Sequence, residues 1–248
     1  LQIDRLFGVP LSLSTIETVL MTVVSDAEPI TASFRIHPRA IAALGKDLVT
    51  NDVVAVIELV KNSYDALATR VDVKFAGSPD APSVIEILDN GHGMTQATLR
   101  DVWCVVATPF RKNNPVVKRG PIRRKVTGDK GLGRLSAARL GSGLELVTKS
   151  PRDSFWLVRL DWDEIASATS LEQATFKIQR LHEDPEGQIR DHGTRIRITN
   201  LRSTWTKEKI ADLREHLARM ISPFAKVEDF RIYLTAPGDR NSPEQIEI

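Results

Sequence analysis

The stretch ELVKNSYDA, residues 58–66, decides how the rest of the chain is interpreted. It lies in a run of apolar residues at helical spacing, which predicts one long helix from Val53 to Ala68. At this spacing Glu58, Asn62 and Asp65 project toward a common point. A solvated polar helix face would have the same pattern, so the trio needs support from elsewhere in the chain.

A second stretch, DNGHGM, occupies residues 89–94 directly after the β-rich run 84–88. An ordinary turn often has this composition. A carboxylate fixed at a strand end, such as Asp89, can also accept a hydrogen bond from an exocyclic amine. Gly91 and Gly93 would then let a flat base approach the backbone.

A third stretch, GDKGLGR, occupies residues 128–134 and leads into a predicted helix that ends near Leu140. Backbone amides at a helix N-terminus bind anions, and glycines permit close approach of phosphate oxygens. The stretch lacks the Gly-Lys-Ser/Thr ending of a P-loop and the strand context of a dinucleotide-binding fingerprint. A glycine-rich loop of this kind is weak support by itself.

Strand-like runs outnumber helical ones, and most of them follow one another directly along the chain. The predicted strands are 71–75, 84–88, 144–148, 155–160, 176–181, 194–198 and 230–235, with a helix at 207–220 before the last of them. This order predicts an α+β fold in which helices cover one face of a single sheet. We divide the chain into an arm (1–30), a central domain (31–237) and the start of a linker (238–248), and interpret the region between residues 94 and 128 as irregular.

Composition excludes several classes of protein. The formal charge of the 248 residues is +2, which gives no general argument for nucleic-acid binding. The single cysteine, Cys104, excludes an intrachain disulfide and any multi-cysteine zinc site. No apolar run near the N-terminus is long enough to span a membrane, and we expect a cytoplasmic protein.

Taken in this order, the three stretches resemble the N-box, the Asp-x-Gly-x-Gly box and the glycine-rich lid box of the GHKL superfamily. This superfamily includes gyrase B subunits, MutL proteins, the large heat-shock chaperones, MORC proteins and sensor histidine kinases. His192-Gly193-Thr194, at the start of a late strand, resembles a fourth family element. The resemblance covers roughly residues 36–201 and implies a Bergerat fold, a two-layer sandwich with a mixed, mostly antiparallel sheet.

The resemblance implies a site for ATP and Mg²⁺. Asn62 would coordinate Mg²⁺, Asp89 would bind the adenine amino group, Gly93 and Met94 would line the base, and Thr194 would hold a water beside it. Further nucleotide contacts are implied at Asp65, Gly91, Lys112, Gly128, Gly131, Leu132, Gly133 and Arg134. Lys112 belongs to a stretch that resembles the Ala-Thr-Ser-Lys of MutL-like lids but has extra residues inserted.

Glu58 separates the hydrolases of the superfamily from its kinases. One turn before the Mg²⁺ ligand, a glutamate can deprotonate an attacking water, and the resemblance implies this role for Glu58. Sensor kinases usually have asparagine there and carry an upstream helical hairpin, which is not visible here. We therefore expect ATP hydrolysis to ADP and phosphate, with ATP sensing without turnover and phosphotransfer to histidine as alternatives.

The basic segment 111–125 lies at the position of the family's lid. We expect it to lack regular structure and to become ordered over the phosphates when nucleotide binds, although a solvated loop would have the same composition. It could also contact nucleic acid. Gyrase-like and MutL-like members complete their site from a following domain, so we expect a fragment of a longer protein that turns over slowly alone and forms a homodimer clamp.

Overall fold

The computed structural model describes residues 37–40, 51–105, 116–120, 122–126, 135–221, 229–237 and 243–246. All of them belong to one compact unit, Ile36–Ile248. The predicted arm, residues 1–30, lies outside the described residues, as does most of the predicted linker 238–248.

Eight described strands form one sheet, and their bounds are β1 Arg70–Ser78, β2 Ala81–Asp89, β5 Gly141–Lys149, β6 Phe155–Asp161, β7 Ile178–Leu181, β8 Gly193–Leu201, β9 Arg231–Thr235 and β10 Glu244–Gln245. Their order in the sheet is β10-β9-β1-β2-β8-β5-β6-β7. The β1–β9 pair is parallel and the other pairs are antiparallel. The prediction of a mixed, mostly antiparallel sheet is therefore confirmed.

The helices are α1 Asp52–Asp65, α2 Gln96–Thr98, α3 Ser136–Leu140, α4 Trp162–Ser167 and α5 Lys207–Ile221, with a π-helical turn at Leu99–Trp103 directly after α2. Apolar side chains of α1, α3 and α5 share one buried cluster with the sheet, which includes Val56, Leu140, Leu146, Ile198 and Leu213. Alternation along the strands places these sheet residues on a single face. The fold is a two-layer α+β sandwich, as predicted.

Helix α1 packs on the sheet and is fixed at its beginning. The Asn51 side chain caps it by accepting a hydrogen bond from the Val54 amide at 2.8 Å. Asp52 contacts Lys209 of α5 at 2.5 Å and Arg139 of α3 at 3.0 Å. Burial alone would raise the pKa of the Asp52 carboxyl, but the hydrogen bonds and charges around it hold the pKa below its ordinary value.

The end of α1 comes three residues before the predicted one. Leu67 adopts a left-handed φ of 58°, its amide donates to Tyr64 O, and the Ala68 amide donates to Ser63 O. These two bonds form a Schellman motif, which normally has glycine at the left-handed position. Because Leu67 is buried in the core, its packing supports this conformation.

The predicted irregular region 94–128 contains regular structure, so that prediction is wrong in its described parts. Besides α2 and the π-helical turn, a hairpin joins β3 (Val116–Arg119) and β4 (Ile122–Lys125). Gly120, with φ of 54°, supplies the left-handed residue of the connecting turn. The prediction failed because each strand has only four residues and most of their side chains are basic.

Candidate functional site

A cavity of about 200 Å³ lies between α1 and the sheet. Its wall is formed by the last turns of α1, the end of β2, the first half of β8, the middle of β5, the segment 92–103 and the hairpin region. Apolar side chains dominate it, among them Leu59, Met94, Trp103, Leu144, Leu146 and Ile196. An apolar cavity with a few convergent polar groups is typical of a small-molecule site.

Asp89, the last residue of β2, brings a carboxylate to this cavity. Its Oδ1 accepts a hydrogen bond from the Gly91 amide at 2.8 Å, and its Oδ2 accepts one from the Ser63 hydroxyl at 3.0 Å. Burial raises the pKa of the Asp89 carboxyl, and the hydrogen bonds from Gly91 and Ser63 partly oppose this rise. An ionised Asp89 only accepts hydrogen bonds, so it favours a ligand that offers a donor.

Helix α1 presents Asn62, Ser63 and Asp65 to the same cavity. Glu58 lies one turn earlier and is not among the described residues that line it. Its Oε1 forms an ion pair with Lys61 Nζ at 2.8 Å, and about a third of each side chain is exposed. The structure therefore brings Asn62 and Asp65 together at the cavity wall and leaves Glu58 on the half-exposed surface beside it.

Thr194 lines the cavity from the start of β8 and is joined to β5 by a buried hydroxyl pair. Thr194 Oγ1 and Thr148 Oγ1 lie 3.0 Å apart. The Met94 amide donates to Thr148 Oγ1 at 3.0 Å, so the segment that carries Gly93 and Met94 is attached to the same hydroxyl. Gly93 and Met94 both contribute to the cavity wall.

Three glycines let the chain close tightly around Asp89. A side chain at Gly91 would meet the backbone oxygen of Ala66 at 2.7 Å, and one at Gly93, where φ is 61°, would meet that of Lys149 at 1.9 Å. A side chain at Gly193 would meet the backbone oxygen of Asp89 at 2.2 Å. The two predicted glycines, Gly91 and Gly93, therefore have a packing role within the protein, in addition to any approach of a base.

The hairpin β3–β4 forms one side of the cavity through Val117, with Val126 directly after it. Arg124 is only 2% exposed and fixes the hairpin to the end of α1. It donates to Tyr64 O at 3.0 Å and to Ala68 O at 2.7 Å, and it forms an ion pair with Asp229 at 3.1 Å. This buried arginine is therefore not part of a solvated basic loop.

The remaining predicted contacts lie outside the described residues. They are Lys112 and the glycine-rich stretch with Gly128, Gly131, Leu132, Gly133 and Arg134. Helix α3, which begins at Ser136, is the described part of the helix predicted to follow this stretch.

Residues 50–194 match the family model of the histidine kinase-, DNA gyrase B- and HSP90-like ATPases. The match runs from the start of α1 to Thr194 and covers more than half of the chain. The chain belongs to this family. The resemblance deduced from the three stretches is confirmed, and the chain is an ATP-binding domain of the GHKL superfamily. No curated protein matches it closely enough to count as a relative.

Two residues that the sequence analysis missed, Ser63 and Thr148, hold residues of the site in place by hydrogen bonds. Ser63 donates to Asp89, and Thr148 joins Met94 to Thr194. Ser63 directly follows Asn62 on the helix, and Thr148 continues the alternation of Leu144 and Leu146 on the cavity face of β5. A polar residue at such an apolar position was the signal that could have identified Thr148.

Membership in this ATPase family implies Mg²⁺, and the oxygen ligands available at the cavity are compatible with this ion. Among the described residues, no group of three or more His, Cys, Asp or Glu side chains could hold a metal ion. Mg²⁺ in nucleotide sites usually keeps several waters and takes only one or two protein ligands besides phosphate oxygens. The amide oxygen of Asn62 suits such a site.

Membrane crossing by a helix finds no support in the described parts of the chain. None of their helices combines the necessary length with sufficient apolar character.

Proposed function

We propose that this domain binds ATP with Mg²⁺ in the cavity between α1 and the sheet and hydrolyses the γ-phosphate. The arrangement at Asp89 carries the proposal: a carboxylate held by Gly91 and Ser63 at the wall of an apolar cavity, with Asn62 on the adjoining helix face. A buried acceptor beside apolar walls suits a flat base with an exocyclic amine.

At the base end of the cavity, Asp89 accepts a hydrogen bond from the adenine amino group. Gly93 and Met94 line the base, and Thr194 holds a water between Asp89 and the ring. The network that joins Met94 to Thr194 through Thr148 supports this assignment, because it holds Gly93, Met94 and Thr194 in fixed positions.

At the phosphate end, Asn62 would hold Mg²⁺, which would supply positive charge to stabilise the negative charge of the phosphates. Asp65, one turn further along α1, lines the cavity and orients the nucleotide. By the family resemblance, further phosphate contacts would come from the backbone amides of residues 131–134 and from Gly128 and Lys112, all of which lie outside the described residues.

Glu58 acts as the general base. It precedes Asn62 by four residues, about 6 Å along the helix axis, so its carboxylate can reach a water beside the γ-phosphate. The water loses a proton to Glu58 as its oxygen forms a bond to phosphorus, and the bond from phosphorus to the bridging oxygen of ADP breaks. For this step Glu58 must turn away from Lys61, to which it is paired here.

In a homodimeric clamp, hydrolysis would reset an ATP-dependent conformational switch. Exposed cations of the hairpin, at Lys118, Arg123 and Lys125, are available to nucleic acid, whereas Arg124 is not.

The Glu58–Lys61 ion pair favours a second candidate function, a module that senses ATP with little turnover, because the pair occupies one carboxylate oxygen of the proposed base.

Calorimetric titration of ATP, with Mg²⁺ and with a chelator, tests binding, and phosphate release on the same sample tests turnover. The expected result is Mg²⁺-dependent binding with slow release of phosphate and of ADP. Binding without phosphate release would favour the sensing module. Transfer of label from γ-labelled ATP to the protein would instead indicate a kinase, and absence of ATP binding would contradict the assignment of the cavity.

A further inference from the structure

We infer that the exposed face of the hairpin β3–β4 binds the phosphates of duplex DNA. The inference develops the nucleic-acid contact of the proposed function, on which it rests, and it does not depend on ATP hydrolysis. It assigns this contact to three exposed side chains, Lys118, Arg123 and Lys125, which we call the basic face.

The strand register divides the hairpin into two faces. Lys118 is paired with Arg123, and Val117 is paired with Arg124. Residues paired across antiparallel strands share a face, and successive residues along a strand alternate between faces. Lys125 therefore lies on the same face as Lys118 and Arg123, whereas Val117 and Arg124 lie on the opposite one. Burial agrees with this division, because Arg124 is only 2% exposed and the three cations of the basic face are exposed.

The face opposite the basic face is occupied within the protein. Val117 lines the nucleotide cavity, and Arg124 donates to two backbone oxygens at the end of α1. The described residues that line the cavity include none of the basic face. The cations of the basic face are thus directed away from a nucleotide in the cavity, and they can bind a second anion outside it.

The protein does not compensate the charge of the basic face. Lys118 and Arg123 lie directly opposite each other, and like charges in such a pair destabilise a hairpin. No Asp or Glu occurs between residues 102 and 128. In the parts of the chain that the structure describes, no carboxylate forms an ion pair with a residue of the basic face. A bound polyanion would remove the repulsion.

The chemistry of the basic face favours nucleic acid over a protein or a membrane. Protein interfaces are usually anchored by aromatic or large apolar side chains, whereas the apolar residue exposed beside these cations is Val116. An element that binds a membrane surface inserts an apolar face into it, and here Val117 on the opposite face lines the cavity. A phosphate backbone requires only cations, and its binding gains free energy from the release of counterions.

Among nucleic acids, the two-stranded hairpin favours duplex DNA. The major groove of B-form DNA admits a two-stranded β-ribbon, whereas that of an RNA helix is deep and narrow. Residues two apart on a strand are separated by about 7 Å, and duplex DNA carries one phosphate per about 1.7 Å of its axis. The three cations can thus contact several phosphates at once. Because phosphate contacts carry no sequence information, DNA duplexes of unrelated sequence should bind equally well.

Fluorescence anisotropy of a labelled DNA duplex, titrated with the domain over a range of salt concentrations, tests the inference. Each lost phosphate contact should make the slope of log K against log salt less negative by about 0.9. Lys118→Gln/Arg123→Gln should therefore change the slope by about 1.8, which corresponds to roughly 60-fold weaker binding at about 0.1 M salt relative to about 1 M. The control Lys177→Gln/Arg190→Gln removes two exposed cations outside the hairpin, changes the net charge equally and should bind DNA as the wild-type domain does.

A salt slope that is unchanged in Lys118→Gln/Arg123→Gln, or changed equally in the control, would overturn the inference. Tighter binding of an RNA duplex of the same sequence would also overturn it. Binding of the wild-type domain to phosphatidylserine vesicles but not to DNA would do the same and would indicate a membrane surface.

ATP titration of the same variants separates the basic face from the nucleotide cavity. Lys118→Gln/Arg123→Gln should bind ATP with the wild-type affinity, which also shows that the variant is folded. A loss of ATP affinity that accompanies the loss of DNA binding would mean that these cations serve the nucleotide, and would overturn the inference. DNA binding by a wild-type domain that does not bind ATP would contradict the proposed nucleotide site and support the basic face.

Discussion

The base end and the phosphate end of the cavity are constructed differently. At the base end, Asp89, Ser63, Thr148 and Thr194 are joined by hydrogen bonds and lie on strands and a helix that share one core. At the phosphate end, the proposed base Glu58 is half-exposed and paired with a neighbouring lysine. In the proposed function, recognition of the nucleotide would therefore be organised within the fold, whereas catalysis would require Glu58 to leave Lys61.

This difference predicts that binding and turnover can be separated by substitution, with the largest effect at Glu58. Proton abstraction by a positioned side chain is typically worth about 100-fold to 10,000-fold in rate. Glu58→Ala should lower phosphate release by that factor and leave ATP affinity unchanged, because the base acts on the water in the transition state. Phosphate release and calorimetric binding, measured on the same samples, check this expectation.

Asn62→Ala and Glu164→Ala give the contrast and the control. Loss of a Mg²⁺ ligand at Asn62 should lower affinity and turnover together. Glu164 is an exposed glutamate on α4, so its removal should change neither. Turnover of Glu58→Ala at the wild-type rate would mean that another residue is the base and that Glu58 does not separate the hydrolases from the kinases here.

The second prediction concerns the base end. Asp89→Asn replaces an acceptor by a group with an amide donor, which leaves the adenine amine without its partner at a buried site. Such a loss typically costs about 1 to 3 kcal/mol, which corresponds to roughly a 5-fold to 150-fold weaker affinity for ATP. Calorimetry should show this loss, whereas turnover at saturating ATP should persist because Glu58 is untouched.

Asp191→Asn is the matched control, since Asp191 is exposed in the loop before β8 and does not line the cavity. It should bind ATP as the wild-type domain does. If Asp89→Asn binds ATP with an unchanged dissociation constant, the adenine does not lie against Asp89.

The sequence predicted most of the fold because its main elements have strong periodic patterns. Helix α1 follows from apolar residues at helical spacing, and the long strands follow from β-rich runs separated by glycine and proline. The short elements α4 and β3–β4 could not be deduced in this way. The hairpin is stabilised by the contact of Arg124 with the end of α1, which lies about sixty residues away in the chain.

In the candidate site, too, residues in local sequence patterns could be predicted, whereas residues defined by long-range contacts could not. Asn62, Asp65, Asp89 and Thr194 were found because they belong to short motifs with a recognisable order. Thr148 was missed because its partners Met94 and Gly193 lie 54 and 45 residues away, so only the folded strands bring them together. The spacing of Glu58 and Lys61, three residues apart on α1, is typical of a helical ion pair, and the sequence analysis did not use this signal.

The third prediction tests whether the hairpin is a fixed wall of the cavity. Arg124→Met keeps an apolar stem and removes the donors to Tyr64 O and Ala68 O, together with the contact of the guanidinium with the Tyr64 ring, 4.4 Å from its centroid. Leaving buried carbonyls without a donor should lower the free energy of unfolding by about 1 to 3 kcal/mol. Urea unfolding of the nucleotide-free domain measures this loss.

Arg123→Met is the matched control, because Arg123 is exposed on the same strand. Exposed substitutions usually change stability by less than about 0.5 kcal/mol. Equal stabilities of the two variants would mean that Arg124 does not anchor the hairpin to the end of α1.

The smallest expected effect is a dependence of stability on pH that originates at Asp89. Burial raises the pKa of its carboxyl in the folded domain, whereas the unfolded chain has the ordinary value. The folded state therefore binds this proton more tightly, and protonation favours folding. The wild-type domain should gain stability from this group as the pH falls through the folded pKa toward the ordinary value, and lose it as the pH rises.

Asn at position 89 cannot titrate. Its amide can retain both contacts, because Oδ1 still accepts from Gly91 and the Ser63 hydroxyl can accept instead of donating. Without nucleotide, Asp89→Asn should thus be more stable than the wild-type domain near neutral pH, and its advantage should shrink in acid. Urea unfolding of both proteins across the acidic range in which they remain folded gives the difference directly. A constant difference would mean that the hydrogen bonds to Asp89 balance the cost of burying its charge, and an advantage that grows in acid would mean that they outweigh it. Either result would mean that Asp89 does not reduce the stability of the domain.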